Sequence, residues 1–368
     1  MTEHAPKVSV VMPVYDDERT LRQAIESVQR QTLRDIEIIC VDDRSTDGSR
    51  AIVDELASRD DRIAVVSHER NRGYGAAMND GFAAAHGTWL GIVESDDYLR
   101  PDMLRRLVAC AEAADGTVDV AKSPYIREMR TVEGTERGSG PVAHVQCSYR
   151  HRIHPLRQSF TMADAGVEHL LQHHPSIWSA LYRRDFIEGK RIRFKEYPGG
   201  GWADNEFFYE TLLQARGIVY CDEPYYVYRE ETPQEAAGFL QRNKLLVFDR
   251  WQGMMDIVER LGLSSCEPVI RSHVRKGFTY LGTALAANGG GDPEIERAMH
   301  RMFDRMPVDA VASDATLPPA LKRLFGQRRG CDARASDAAY ALHLAGMLAY
   351  TLRANGVGYT LGRIRGFK

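Results

Sequence analysis

Through its first third the chain alternates unbroken β-branched runs with amphipathic stretches. Residues 8–12 (VSVVM) carry no polar interruption beyond a serine, as expected of a central strand covered on both faces. PVYDDERT follows, and then Leu21, Ile25 and Val28 recur at i, i+4 and i+7, predicting a helix. Residues 36–41 (IEIICV) predict a second strand ending in DDRSTDG, where Ser45, Thr46 or Asp47 could cap a helix running to about Ser58. A third strand is predicted over 63–66 and a small-residue helix over 75–85. Trp89, Leu90, Ile92 and Val93 form a fourth strand, which stops abruptly at Glu94, Ser95, Asp96 and Asp97; a helix over about 101–114 follows. Strict alternation of strand and helix implies βα units and a mostly parallel, doubly wound α/β sheet, whose acidic loops gather along one edge.

From 118 to 160 the pattern weakens, and EMRTVEGTERGSG reads as an exposed loop or hairpin. A short helix near 163–173 comes next. Later, IVYCDEPYYVYRE predicts two short strands across a turn at Pro224. From about Pro233 the chain becomes helical, and Leu240, Leu245, Val247, Trp251, Met255, Ile257 and Val258 suggest one long helix. The segment 322–368 is basic, with nine Lys/Arg against Asp332 and Asp337. It reads as a helix packed on its own protein with a solvated basic face, or as a surface helix on anionic lipid.

Composition narrows the function classes. A net charge of -3 argues against a general nucleic-acid binder. The six cysteines lie far apart with no CxxC pair, which disfavours a zinc site or a disulfide framework. Cys40 and Cys221 sit in apolar runs and read as free buried thiols. MTEHAPK lacks a signal-peptide pattern and no apolar run reaches bilayer length, so the expectation is a cytoplasmic protein, with peripheral contact on the inner face of the plasma membrane as the membrane option.

Three carboxylates within the four residues Glu94–Asp97 repel one another unless they are solvated, capping a helix or bound to a cation. A glycine-rich phosphate loop is absent, because the first strand leads into Pro13-Val14-Tyr15-Asp16-Asp17; Gly73-Tyr74-Gly75 is only a partial match. The remaining way to hold a diphosphate is a divalent cation on one or two carboxylates, for which Asp96 and its neighbours suit magnesium or manganese. Asp43, at the end of another strand, could accept the N3–H of a pyrimidine, and Tyr15 offers a flat face for the base.

Taken in order, these segments resemble the family 2, GT-A fold inverting glycosyltransferases of bacterial cell-surface polysaccharide synthesis. The resemblance covers about residues 7–229 and rests on VSVVMPVYDDERTLRQAIESVQRQT, IEIICVDDRSTDGS, ERNRGYGAAMNDGFAAAHGTWLGIVESDDYLRPDML, SIWSALYRRDF and GGGWADNEFFYETLLQA with CDEPYYVYR. It implies a GT-A domain over 1–232, with a nucleotide half over about 7–115 and an acceptor half over about 116–232. The helical 233–368 then remains for acceptor, membrane or oligomer contact.

By the same resemblance Pro13, Tyr15 and Glu18 line the nucleotide, and Asp43 bonds a uracil-like base with Asp42 behind it. Arg72 and Asn79 face the diphosphate and ribose, with Glu94 and Ser95 beside them. Asp96 is the metal ligand, assisted by Glu94 or Asp97, and Asp204 in ADNEF is the catalytic base. The implied donor is a nucleoside diphosphate sugar, UDP by preference, with Mn2+ or Mg2+; the acceptor is a saccharide or lipid-linked saccharide. Two positions depart from the family pattern, Asp16 where Asn is usual and Glu94 where the metal motif begins with Asp.

Gly199, Gly200 and Gly201 suggest a loop that closes over substrate. Trp178 and Trp202 could stack on sugars or sit in the core, His173 and His174 read as structural, and Arg183-Arg184 as a surface pair. A sugar-phosphate nucleotidyltransferase would need a glycine-rich basic loop after the first strand. A catalytically silent binding protein would tolerate loss of Asp96 or Asp204, and this chain carries both.

Overall fold

A computed structural model describes residues 5–130, 142–164, 168–197, 201–230 and 233–366. It separates into two compact units, one comprising residues to Leu170 with His174–Glu230, the other Leu171–His173 with Glu231–Lys368.

The first unit begins with β1 (Val8–Val14), α1 (Leu21–Gln29), β2 (Ile36–Asp42), α2 (Ser49–Ala57), β3 (Ile63–Ser67), α3 (Tyr74–Ala83) and β4 (Trp89–Ile92). All of β1 is buried, as an unbroken apolar strand requires. β5 (Tyr98–Leu99) and α4 (Met103–Ala113) follow, and then β6 (Val120–Lys122), β7 (Tyr125–Arg130), β8 (Val142–Gln146), β9 (Ser159–Phe160) and α5 (His169–Gln172). The unit is completed by β10 (Ala180–Arg183), α6 (Arg184–Gly189), α7 (Asp204–Gln214), β11 (Ile218–Tyr220) and β12 (Tyr226–Arg229).

The main sheet runs β3-β2-β1-β4-β10-β6-β11-β9. Its first four strands are parallel, as the βα alternation implies. β10 is antiparallel to both β4 and β6, so the whole sheet is mixed. A second sheet, β5-β12-β7-β8, contains the hairpin read from the polar 118–160 stretch; its connection, 131–141, lies outside the described residues. The strands across Pro224 both form, but β11 joins the main sheet and β12 the second one. The helix expected near 163–173 shrinks to α5, with 165–167 outside the described residues.

Gly81 shows how closely α3 lies on the sheet. A Cβ there would stand 2.3 Å from Val11 Cγ1 and 3.1 Å from Val41 Cγ2. Alanine would gain about 1 kcal/mol in helix propensity, but overpacking against two buried strands costs typically about 1–3 kcal/mol. Gly81→Ala should therefore lower the urea midpoint, and an unchanged or raised midpoint would show that α3 can lift off the sheet.

Cys221 is not the free thiol that its apolar surroundings suggested. It is disulfide-bonded to Cys110, 111 residues earlier. Helix α4 packs on β11 and brings the two together, a proximity that sequence spacing does not carry. Cys40 remains free and buried, its thiol pushed up to about 12 by burial.

Lys122, at the end of β6, is buried, and its Nζ donates to Ser176 O at 2.8 Å, Ser176 Oγ at 3.0 Å and Ser179 Oγ at 3.2 Å. Burial pushes its pKa down to about 7 from the ordinary 10.5. Between those values the unfolded chain binds more protons than the folded one, so this contribution to stability rises with pH, by at most about 1.4 kcal/mol per unit. It is lost as pH falls toward about 7, below which the penalty is complete. Lys122→Met should flatten that slope, read as denaturant midpoints across the window. A slope unchanged by the substitution would assign it to other groups.

The second unit is helical: α8 (Pro233–Arg242), α9 (Leu246–Arg260), α10 (Glu267–Asn288), α11 (Pro293–Arg305), α12 (Val308–Ser313), α13 (Pro319–Arg329) and α14 (Asp337–Gly366), the last kinked at Gly356. The single long helix expected after Pro233 is two, α8 and α9, broken at 243–245. Its core is Trp251 stacked on His273, with Phe278, Phe303 and Phe325. Among the described residues no helix is long and apolar enough to cross a membrane.

Candidate active site

The carboxyl ends of β1, β2 and β4 and the start of α3 enclose a cavity of about 320 Å³. Pro13, Tyr15, Asp43, Glu94, Ser95 and Asp96 line it, together with Val14, Asp17, Asn71, Gly73, Tyr74 and Ala77. Loops that follow parallel strands meet at one sheet edge, so residues far apart in the chain converge there. Tyr15 is 46% exposed and presents its ring at the rim.

Asp43 is held from two sides. Its Oδ1 accepts the Arg72 backbone N–H at 2.8 Å and its Oδ2 the Gly73 N–H at 2.7 Å. Gly73 has φ +86°, a left-handed conformation that glycine adopts without strain and that aims this N–H at Asp43. His68 completes the arrangement, with Nδ1 2.6 Å from Asp43 Oδ1 and Nε2 3.0 Å from Asp80 Oδ2. The Arg72 guanidinium, expected at the diphosphate, instead pairs with Asp80. His68 was not singled out from sequence; its only local signal is a histidine directly after a strand.

Several expected site residues are structural supports around the cavity. Asp42 Oδ1 accepts the Ser45 N–H at 3.0 Å and shapes the turn after β2. Glu18 Oε2 accepts the Gly48 N–H at 2.8 Å, tying the β1 loop to the start of α2. Asn79 donates to Phe194 O at 3.0 Å and accepts the Phe194 N–H at 2.9 Å, pinning the segment that leads toward Asp204 across α3. Asp16 has φ +55°, and its Oδ1 accepts the Thr46 N–H at 2.6 Å. Asn and Asp are the non-glycine residues that best tolerate that conformation, so the departure from Asn preserves a turn rather than a ligand.

The ESDD turn places its acids in different environments. Asp96 is exposed at the cavity. Asp97 points inward, its Oδ2 accepting from Tyr226 OH at 2.8 Å and its Oδ1 from the Arg229 N–H at 2.7 Å. Burial first, then Asp96, raises its pKa well above the carboxylate range. Asp97 is therefore a brace for the turn and is withdrawn as a metal ligand. Tyr226 OH also accepts the Glu94 N–H at 3.1 Å, so β12 latches the turn at both ends.

Glu94 accepts from Tyr74 OH at 2.7 Å. Burial, and then the charges of Asp96, Asp204 and Asp17, push its pKa up to about 8. Asp17, missed from sequence, is raised by burial and bonded by Ser95 Oγ. Asp204 opens α7, with its charge acting on both Glu94 and Tyr74. It is not among the cavity-lining residues. Phe207 holds α7 in place, stacked on Phe194 with ring centroids 4.1 Å apart. Trp178 lies in the core, stacked on Tyr226 at 4.1 Å, and Trp202 is half-buried just ahead of Asp204. Gly199 and Gly200 fall outside the described residues.

Among the described residues no three His, Cys, Asp or Glu side chains form a ready-made metal cage. A cation shared with a diphosphate needs only one or two carboxylates. The donor set fits that case: Asp96 is exposed, and Glu94 sits among like charges that a divalent cation would offset.

A family model described as glycosyl transferase family 2 matches residues 9–188. Over that span, just under half of its length, the chain is similar to glycosyl transferase family 2. It is also 32% identical over 233 residues to the glycosyltransferase EpsJ of Bacillus subtilis (strain 168), covering 61% of each chain. It is 29% identical over 198 residues to the succinoglycan biosynthesis protein ExoO of Rhizobium meliloti (strain 1021), covering 53% of this chain and 52% of that protein. The chain thus spans about three fifths or less of the length of these curated relatives. The crystal structure of S. aureus TarS 1-349 superposes with a TM-score of 0.63 at 19% identity, covering 92% of both chains, which establishes the shared GT-A architecture.

Proposed function

We propose that this chain is a metal-dependent, inverting glycosyltransferase. In this reading it moves a sugar from a nucleoside diphosphate sugar to an acceptor hydroxyl in bacterial surface glycan synthesis. The observation that carries the reading is the convergence of Tyr15, Asp43 and Asp96 on one cavity, with the charge of Asp204 acting on its wall at Glu94 and Tyr74. Tyr15 stacks on the base, and Asp43, oriented by His68 and two backbone N–H groups, accepts the pyrimidine N3–H. UDP is the preferred diphosphate; a structure of TarS 1-349, similar in fold, is a complex with UDP. ExoO's part in succinoglycan biosynthesis supports a saccharide or lipid-linked saccharide acceptor.

Asp96, with Glu94, would hold Mg2+ or Mn2+, which supplies charge to offset the departing diphosphate. Asp204 takes the proton of the acceptor hydroxyl as its oxygen bonds to the anomeric carbon. The bond from that carbon to the diphosphate oxygen breaks, and the electron pair leaves with the nucleoside diphosphate. One in-line displacement inverts the anomeric centre without an enzyme nucleophile. Thermal-shift screening against nucleotide sugars with Mn2+, followed by hydrolysis assays on those that bind, tests the reading. Failure of every nucleotide sugar to bind or react would overturn it.

His68→Ala should weaken UDP affinity by roughly tenfold, the loss of one charge-assisted hydrogen bond, and change kcat less than KM. Calorimetric titration of UDP checks this. Equal affinity in the variant would mean that the two backbone N–H groups suffice to hold Asp43.

A further inference from the structure

Helix α14 is apolar on the side that the protein leaves uncovered. In its first half Tyr340, His343, Met347, Tyr350 and Ala354 are half-buried at spacings of three and four residues, one helical face. The other side carries Leu342, Leu344, Leu348 and Leu352, exposed by 76%, 49%, 41% and 39%. Leu344, Leu348 and Leu352 follow at i, i+4 and i+8 and form a stripe. Past the kink, Val357 and Leu361 are 63% and 48% exposed. Among the described residues, six of the ten exposed large hydrophobic side chains therefore lie on this one helix. A helix apolar on both sides is normally covered on both.

The charge pattern selects the cover. From 338 to 368 the sequence has Arg353, Arg363, Arg365 and Lys368 and no Asp or Glu. Arg353 is exposed beside Leu352 at the border of the stripe. The partner surface must admit leucine side chains and supply negative charge. A second copy supplies the same cationic helix. The stretch 338–353 is about 24 Å long, and a strip of that length and one helix wide falls well short of the ~800 Å² per partner of a stable interface. The helix is also not one that can span a bilayer.

We propose that α14 lies in the surface of an anionic lipid bilayer, its leucine stripe below the headgroups and Arg353 among them. This inference uses neither the cavity nor the proposed reaction, so it stands or falls separately from them.

The test is co-sedimentation of the full chain with phosphatidylcholine vesicles, with and without about a third phosphatidylglycerol. Binding to the anionic vesicles should exceed binding to the neutral ones by roughly tenfold or more, and should fall as salt rises. Replacing Leu344, Leu348 and Leu352 together by serine should abolish it, with the thermal transition retained because these side chains cover no core. Arg353→Glu, which leaves the stripe intact, should weaken anionic binding by roughly tenfold. The proposal is overturned by equal binding to both vesicles, by no binding to either, or by undiminished binding of the serine variant. It is also overturned by a dimer that the serine variant dissociates without any vesicle binding, which would assign the stripe to a second copy.

Discussion

Asp204→Asn should cut sugar transfer by roughly a hundred- to ten-thousandfold, the range over which a positioned general base contributes, and should leave donor affinity nearly unchanged. Asp204 is the first residue of α7, while the cavity that would take the donor is lined from the ends of β1, β2 and β4 and the start of α3. In the proposed mechanism its carboxylate serves the acceptor, so removing its basicity should act on the chemical step and not on nucleotide binding. Asparagine keeps the shape, and losing a charge at a helix N-terminus costs the fold only about 0.3–1 kcal/mol, so the variant should fold. Transfer to acceptor is read alongside UDP affinity by calorimetry. A variant that binds UDP and still transfers at the parental rate would require another base; Glu94, whose pKa is pushed up to about 8 and on which the charge of Asp204 acts, is a candidate. A fall in UDP affinity matching the fall in rate would place Asp204 on the donor instead.

The fold of the first half was legible because burial on both faces leaves an unmistakable mark. β1, β2 and β4 are mostly apolar runs, broken within β1 and β2 only by Ser9 and Glu37, and each ends in a polar loop that the parallel topology sends to the same edge. The antiparallel β10 was not legible. SALYR has the same local composition as a parallel strand, and its direction is set by the excursion of β7 and β8 into a second sheet. The Cys110–Cys221 bond escaped for a related reason, since helix packing and not spacing brings the two sulfurs together. At the site, residue types were a better guide than residue roles. Arg72, Asn79 and Asp97 all carry groups suited to a diphosphate or a cation. In the fold those groups go to Asp80, to the backbone of Phe194, and to Tyr226 with Arg229. His68 and Asp17 each follow a strand, but their roles emerge only once β1, β2 and β3 lie side by side.

Asp96→Ala should lower turnover by roughly a thousandfold, because compensation of a diphosphate leaving group by a cation is worth several kcal/mol. Chelation of the parent protein should produce a loss of the same order, and the residual activity of Asp96→Ala should be indifferent to chelator. Mn2+ titrated calorimetrically in the presence of UDP gives a readout independent of turnover. The comparison that decides between neighbouring acids is Asp97→Asn. Asp97 is fully buried, with both oxygens bonded inside the protein, so its loss should lower the unfolding temperature, at about 1–3 kcal/mol for an impaired buried hydrogen-bond pair. Mn2+ affinity should survive that substitution. If Asp97→Asn instead abolished Mn2+ binding at unchanged stability, and Asp96→Ala kept it, the two carboxylates would have exchanged roles and the latch from β12 would have to open before metal binds. The present geometry argues against that exchange, since opening would expose Tyr226, whose ring is buried against Trp178 at 4.1 Å, and would release the Glu94 N–H that the same hydroxyl accepts.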